Sequence, residues 1–184
     1  MHLSPALLAV PALGLALAGC GGGGERVSGP PPTAPDRITV TSPAFRDGGT
    51  IPKRYSCDGE QVSPPLRWSG VPSGARELAL LVEDPDASGG TFVHWVLFKL
   101  GPGLNGLAEG KVPNGARRGK NSAGKSAWAG PCPPGAGAPH HYEFTLYALR
   151  TTLDQPDGAA ADAVRSAVAH NALARGQLVG RFGR

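Results

Sequence analysis

Helical periodicity is scarce in this chain. Of its 184 residues, only 156–174 repeat apolar side chains at helical spacing (Ala163, Val164, Ala167, Val168, Leu173), with Gly176 as a stop. That scarcity excludes a helical bundle. With 28 glycines and 19 prolines, the chain points to strands joined by long loops. No internal repeat is present. Two catalytic signatures are also missing: a G-x-S-x-G nucleophile elbow, which a Ser-His-Asp hydrolase needs, and an H-E-x-x-H metal pair. Charge is absent from the first 24 residues, so the formal net charge of +4 belongs wholly to the rest of the chain.

The uncharged start reads as a leader. Residues 1–17 are apolar but short for a membrane span, and Gly and Pro come after them rather than a stop-transfer pattern. They end in Leu17-Ala18-Gly19-Cys20, which resembles the lipobox of bacterial lipoproteins, where the cysteine is acylated and becomes the mature N-terminus. The region before the apolar core departs from that pattern, holding His2 and no Lys or Arg. The expectation is a signal peptide over 1–19, a lipidated Cys20 and export to the bacterial cell envelope. Residues 20–36 carry no apolar period and read as a Gly/Pro-rich tether, stiffest through Pro30-Pro31-Pro32. Residues 37–184 then suit one domain with a sizeable core. Acylation of Cys20 leaves Cys57 and Cys132, and two thiols in an exported chain more often pair than stay free. Arg117, Arg118, Lys120 and Lys125 form a basic loop cluster suited to anionic lipid or another polyanion; nucleic acid is not an expected partner.

The centre of the chain is 78–100. Apolar runs at 78–82 and 92–100 predict buried strands, joined by a turn-rich segment that begins Glu83-Asp84-Pro85-Asp86. Strand parity predicts that Phe92, His94, Val96 and Phe98 share a face. Other strands are expected at 37–42, 66–68, 140–149 and 177–182, with His140 and Tyr142 on one face of the 140–149 strand. Residues 101–137 form a long Gly-rich excursion, and loops of that length tend to be functional. The expected fold is mainly β: a two-sheet, antiparallel-rich β-sandwich with one C-terminal-region helix at its edge and long pocket loops.

Taken alone, His94 reads as a core histidine satisfied by backbone. If the 140–149 strand lies beside it, Asp84, Asp86, His94, His140 and Tyr142 line one pocket mouth, with the Gly130–Gly135 segment as rim. Histidines beside aspartates are expected to have raised pKa values and to supply positive charge, while an aspartate could hold an ammonium group. The alternative is a metal-dependent hydrolase in which the Asp/His cluster activates water. Residues 119–126 (GKNSAGKS) match a phosphate loop, but neither the strand before it nor the helix after it is expected, so the match reads as accidental.

In order along the chain stand Cys57-Asp58-Gly59, Asp84-Pro85-Asp86-Ala87, His94-Trp95, Gly130-Pro131-Cys132-Pro133-Pro134 and His140-His141-Tyr142-Glu143-Phe144. Together they resemble the phosphatidylethanolamine-binding protein family, and the ending GQLVGRFG (176–183) is similar to its bacterial Raf-kinase-inhibitor-like branch. The resemblance spans 38–184. It implies a two-sheet β-fold with a small anion pocket formed by Asp84, Asp86, His94, Gly130, Pro133, Pro134, His140 and Tyr142. With the thiol count, it implies a Cys57–Cys132 disulfide at the rim. No catalytic residue, cofactor or resident metal is implied. The expected role is an envelope-anchored binding or regulatory protein that takes phosphate or a phospholipid head group and modulates a kinase, protease or other partner. Two positions depart from the family pattern: Ser88 stands for a proline and His141 for an arginine.

Overall fold

The run Glu77–Asp84 is buried at every position, because both faces of this strand are covered. A strand covered on both faces has no polar side to show, so its sequence reads as an almost unbroken apolar run. It lies inside a computed structural model that describes residues 25–135 and 137–184. The expected leader and Cys20 lie outside the described residues. The strands are β1 (Thr39–Thr41), β2 (Gly49–Thr50), β3 (Leu66–Ser69), β4 (Glu77–Asp84), β5 (Phe92–Leu100), β6 (Gly106–Leu107), β7 (Arg117–Arg118), β8 (His140–Leu149) and β9 (Ala172–Phe182). One helix, α1 (Ala161–Asn171), precedes β9.

Six strands form the large sheet in the order β2-β9-β8-β4-β5-β7, antiparallel except for the β2–β9 pair. The order β1-β3-β6 makes a small antiparallel sheet. Between the sheets lies the main core, where Val40, Leu66 and Trp68 meet Leu78, Leu80, Val82, Trp95, Phe144 and Leu146. The opposite face of the large sheet carries Ala79, Leu81, Val96, Phe98 and Tyr147, covered by Val164 and Val168 of α1. The helix therefore lies over the outer face of the large sheet, not at an edge of the sandwich. Ala79 and Leu81 of β4 and Tyr147 and Leu149 of β8 make that side apolar under the helix, and burying each α1 valine there contributes on the order of 1.5–3 kcal/mol.

Helix α1 is shorter than its periodicity suggests, and β9 is longer. Ala172 is already extended, and β9 pairs with β8 along its length. Gly176, expected as a helix stop, is a strand residue. A Cβ there would collide with the Ile38 carbonyl oxygen, so only glycine lets the chain entering β1 cross β9.

β5 carries two register shifts against β4. Val82 pairs with Trp95 but Glu83 pairs with Val93, so His94 is the extra residue. The expected shared face of Phe92, His94, Val96 and Phe98 is broken there. Val93, Val96 and Phe98 pack on the helix side, whereas Trp95 and Leu97 enter the main core. Near the other end, Lys99 takes φ 57° and donates its amide to Glu77 Oε1 at 2.8 Å.

Residues 26–36, which composition reads as tether, lie along the domain. Val27 is 4% exposed and its amide donates to the Thr91 carbonyl. Tyr147 Oη donates to the Pro32 carbonyl at 3.2 Å, Arg165 Nη1 to the Ser28 carbonyl at 3.1 Å, and the Arg175 amide to the Pro35 carbonyl at 2.9 Å. Prolines offer carbonyls and no competing N–H, so a Pro-rich segment can be held by donors from the domain.

The phosphate-loop match is a closed turn. The amide of Gly119 is bonded to the Val96 carbonyl, that of Lys120 to the Ala159 carbonyl, and those of Ala123 and Lys125 to Asn121 Oδ1. Backbone donors that a phosphate would need are already taken by the protein.

Candidate functional site

Asp84 ends β4 on the main-core side, two residues beyond Val82. β4 lies between β5 and β8, so Asp84 stands between His94 and His140. His140 Nδ1 donates to Asp84 Oδ2 at 2.7 Å, and Asp84 Oδ1 accepts the Asp86 amide at 2.9 Å. The β5 bulge turns His94 toward the same end of the sheet. A cavity of about 380 Å3 opens there, lined by Asp84, His94, His140, Gly130, Pro133 and Pro134.

His94 is 5% exposed, with the rings of Phe92, Tyr142 and Trp128 around it at centroid distances of 4.6, 5.1 and 6.4 Å. Its Nδ1 lies 2.7 Å from the Ala129 carbonyl. A carbonyl only accepts, so Nδ1 carries the proton and Nε2 of the neutral ring is an acceptor. Burial pushes the His94 pKa down to about 4, against smaller upward pulls from the Ala129 carbonyl and Asp84. The expectation that this histidine is raised and positively charged is overturned: desolvation outweighs the neighbouring carboxylate.

Two expected site residues do not line the cavity. Tyr142 is fully buried beneath His94, and its hydroxyl has no hydrogen-bond partner. Burial pushes its pKa well above the ordinary phenol value. Asp86 lies on an adjoining groove with Pro134, His140 and His141. It accepts from the His141 amide at 2.8 Å and from His141 Nδ1 at 2.7 Å. These bonds, the backbone one first, hold its carboxyl below the usual range.

The wall opposite the strand ends comes from the long excursion. Cys57 and Cys132 are joined by a disulfide with their Cα atoms 5.4 Å apart, and the Cys57 amide donates to the Pro131 carbonyl at 3.1 Å. A Cβ at Gly130 would lie 2.6 Å from the Tyr55 carbonyl oxygen, so glycine lets the two loops close on each other. Sequence reasoning missed several lining residues, among them Gln61, Phe92, Ala129 and the charged Arg26. Arg26 sits in the Gly/Pro segment beside Val27, whose large apolar side chain was the one sign that the segment docks.

Neutral burial of His94 has a measurable consequence for stability. Its folded pKa lies below the unfolded value of 6.5, so its contribution is complete above about pH 6.5 and is lost as pH falls toward 4. The loss over that window is expected to be about 3 kcal/mol. In urea unfolding at pH 4.5 and 7.5, His94→Gln should remove that part of the acid limb. An unchanged pH slope in the variant would contradict the buried neutral ring.

These features define a two-sheet β-protein with a small cavity at one end of its large sheet, where Asp84, His94 and His140 meet. The family model for phosphatidylethanolamine-binding protein matches residues 41–183, and the chain belongs to that family, a family of binding proteins. LppC of Mycobacterium tuberculosis, which its name places among lipoproteins, is 42% identical over 196 residues, covering 99% of this chain and 97% of that one. A UPF0098 protein of Methanothermobacter thermautotrophicus is 44% identical over 152 residues, 80% of this chain and 99% of its own. Among solved structures, Escherichia coli YbcL aligns with a TM-score of 0.77 and 30% identity, covering 80% of this chain and 99% of its own. A phosphatidylethanolamine-binding protein homologue from Chlamydia trachomatis aligns with a TM-score of 0.75 and 38% identity, covering 81% and 99%.

Proposed function

We propose that this protein is an envelope-anchored binding protein whose cavity takes a phosphate-bearing head group without hydrolysing it. The observation that carries the reading is the meeting of two acceptors in one cavity, one of them tied to a histidine. His94 presents a neutral acceptor nitrogen, and Asp84 presents a carboxylate bonded to His140. A complementary ligand must bring a donor to both. A protonated phosphate does so with its P–OH, and a phosphoethanolamine head with its ammonium. The metal-hydrolase alternative fits less well, because Asp84 is engaged by His140 and Asp86 by His141. Among the described residues, no group of three His, Cys, Asp or Glu side chains is gathered to hold a metal ion.

Calorimetric titration with inorganic phosphate and phosphoethanolamine is the test. Both should bind, phosphoethanolamine more tightly, and His140→Ala should weaken both by roughly tenfold, because Asp84 loses the partner that orients its carboxylate. Release of phosphate from phosphoethanolamine by the wild type, lost in His140→Ala, would replace the reading with an enzyme. The anchor is supported by the Leu17-Ala18-Gly19-Cys20 motif and by the name of the mycobacterial relative. Mass spectrometry of the exported protein should find cleavage before Cys20 and acyl chains on it. Cys20 and Arg26 are six positions apart. An acyl anchor would therefore hold Arg26 within roughly 20 Å of the membrane surface even with the intervening chain fully extended.

A further inference from the structure

We infer that Arg26, delivered by the docked N-terminal segment, is the fixed cation of this cavity and the group that holds the phosphoryl charge of its ligand. The inference rests on the binding reading above and adds to it the source of the attraction.

The cavity's own strands supply little positive charge. Asp84 brings a carboxylate, His140 is bonded to it, and buried His94 is neutral around pH 7. An anion entering such a site without another cation would meet net repulsion. Arg26 supplies the missing charge permanently, since its guanidinium does not deprotonate in proteins.

Geometry puts the group in place. The Val27 amide bonds to the Thr91 carbonyl just before β5, and Val27 is buried, so the residue before it is set at the cavity. The Arg26 guanidinium carbon lies 4.6 Å from the centroid of the Phe92 ring, whose other neighbour is the His94 ring. Its Nε donates to the Ser88 carbonyl at 3.4 Å. Its Nη1 is shielded from solvent and has no hydrogen-bond partner. The protein thus leaves donor capacity of this guanidinium unused beside the cavity, and a small turn of the fork would present it to a phosphoryl oxygen there. Stacking on Phe92 fixes the plane of the fork, so little side-chain freedom is lost when the oxygen arrives.

The segment that ties the domain toward its expected anchor is thus also part of the binding site. A lipid head group and a soluble phosphate ester share the chemistry that Arg26 recognises, and different probes separate them.

The test uses the full exported protein in detergent, with inorganic phosphate and phosphoethanolamine as calorimetric probes at pH 7.5. Wild type, Arg26→Gln and Arg26→Lys are compared. Arg26→Gln should weaken both probes by roughly tenfold to a hundredfold, and Arg26→Lys, which keeps the charge and loses the stacked fork, should bind more tightly than Arg26→Gln and more weakly than wild type. A thermal midpoint of Arg26→Gln close to that of wild type shows that the loss is one of charge and not of docking. Equal binding by wild type and Arg26→Gln overturns this inference and leaves the binding reading standing. No binding of either probe by wild type overturns both. Flotation with phosphatidylethanolamine and phosphatidylcholine vesicles, using a Cys20→Ser variant to remove any anchor, separates the sources. Arg26-dependent flotation with phosphatidylethanolamine supports a lipid head group, and binding of the soluble probes alone supports a free phosphate ester.

Discussion

Replacing both Cys57 and Cys132 by alanine is expected to lower the unfolding free energy by about 4 kcal/mol. The bond closes a loop with a sequence separation of 75, and the entropy that this removes from the unfolded chain scales with the logarithm of loop length. For a domain of this size the thermal midpoint should fall by roughly 10 °C. The effect extends to binding. Cys57 and Cys132 both line the cavity, and the bond pins the Gly130–Pro134 wall against the loop after Tyr55. Phosphate affinity should therefore drop in the same variant at temperatures where it remains folded. Differential scanning calorimetry of the oxidised wild type and the double variant decides the matter. A midpoint change under about 2 °C would show that the bond adds little to the native state.

The second large effect is expected at the ion pair under helix α1. Arg165 Nε lies 2.8 Å from Glu83 Oε1, with Arg165 5% and Glu83 2% exposed. Burial pushes the Glu83 carboxyl up, and the Glu143 charge opposite it on β8 adds to the shift, while Arg165 opposes both. Arg165→Met strands a carboxylate between sheet and helix, at an expected cost of about 3–5 kcal/mol near neutral pH. The raised carboxyl sets the sign with pH. Protonated Glu83 is tolerated in the interior, so the cost is smallest near the unfolded carboxyl value and grows as pH rises above it. Arg165→Met combined with Glu83→Met should recover most of the loss, since an apolar pair of similar volume replaces the ions. Urea unfolding of the single and double variants at pH 5 and 8 measures this. A single variant with the same deficit at both pH values would remove Glu83 ionisation as the cause. Arg165 also donates to the Ser28 carbonyl, so the single variant should loosen the segment carrying Arg26 and weaken phosphate binding in parallel.

The order and length of the main strands were legible in the residues, because patterns of apolar residues are local. β4, β5 and β8 stand almost where the runs at 78–82, 92–100 and 140–149 put them, and His140 and Tyr142 do share a face. The helix was legible, but its end was not. Ala172–Arg175 would suit a helix on propensity, yet β8 offers those residues a sheet partner, and tertiary pairing overrides propensity. Parity failed at His94 for a related reason. A bulge is defined by what the partner strand skips, and no window on β5 alone contains that information.

The candidate site divides along the same line. The sequence by itself determined which chemical groups are present: two aspartates before β5, the histidines, the paired cysteines and the glycine and prolines of the wall. Motif order tied them to one family. Only the tertiary structure decided their states. His94 is neutral because three aromatic rings exclude water from it, whereas a carboxylate nearby in sequence suggested the opposite charge. Tyr142 is a floor and not a wall, because β8 carries it beneath His94. The charge that the histidine does not supply comes from Arg26, far away in the chain, through a Pro-rich segment whose composition alone describes a tether. Composition reports what a segment can do when free in water; the donors that hold it lie on β8, α1 and β9, and only folding brings them to it.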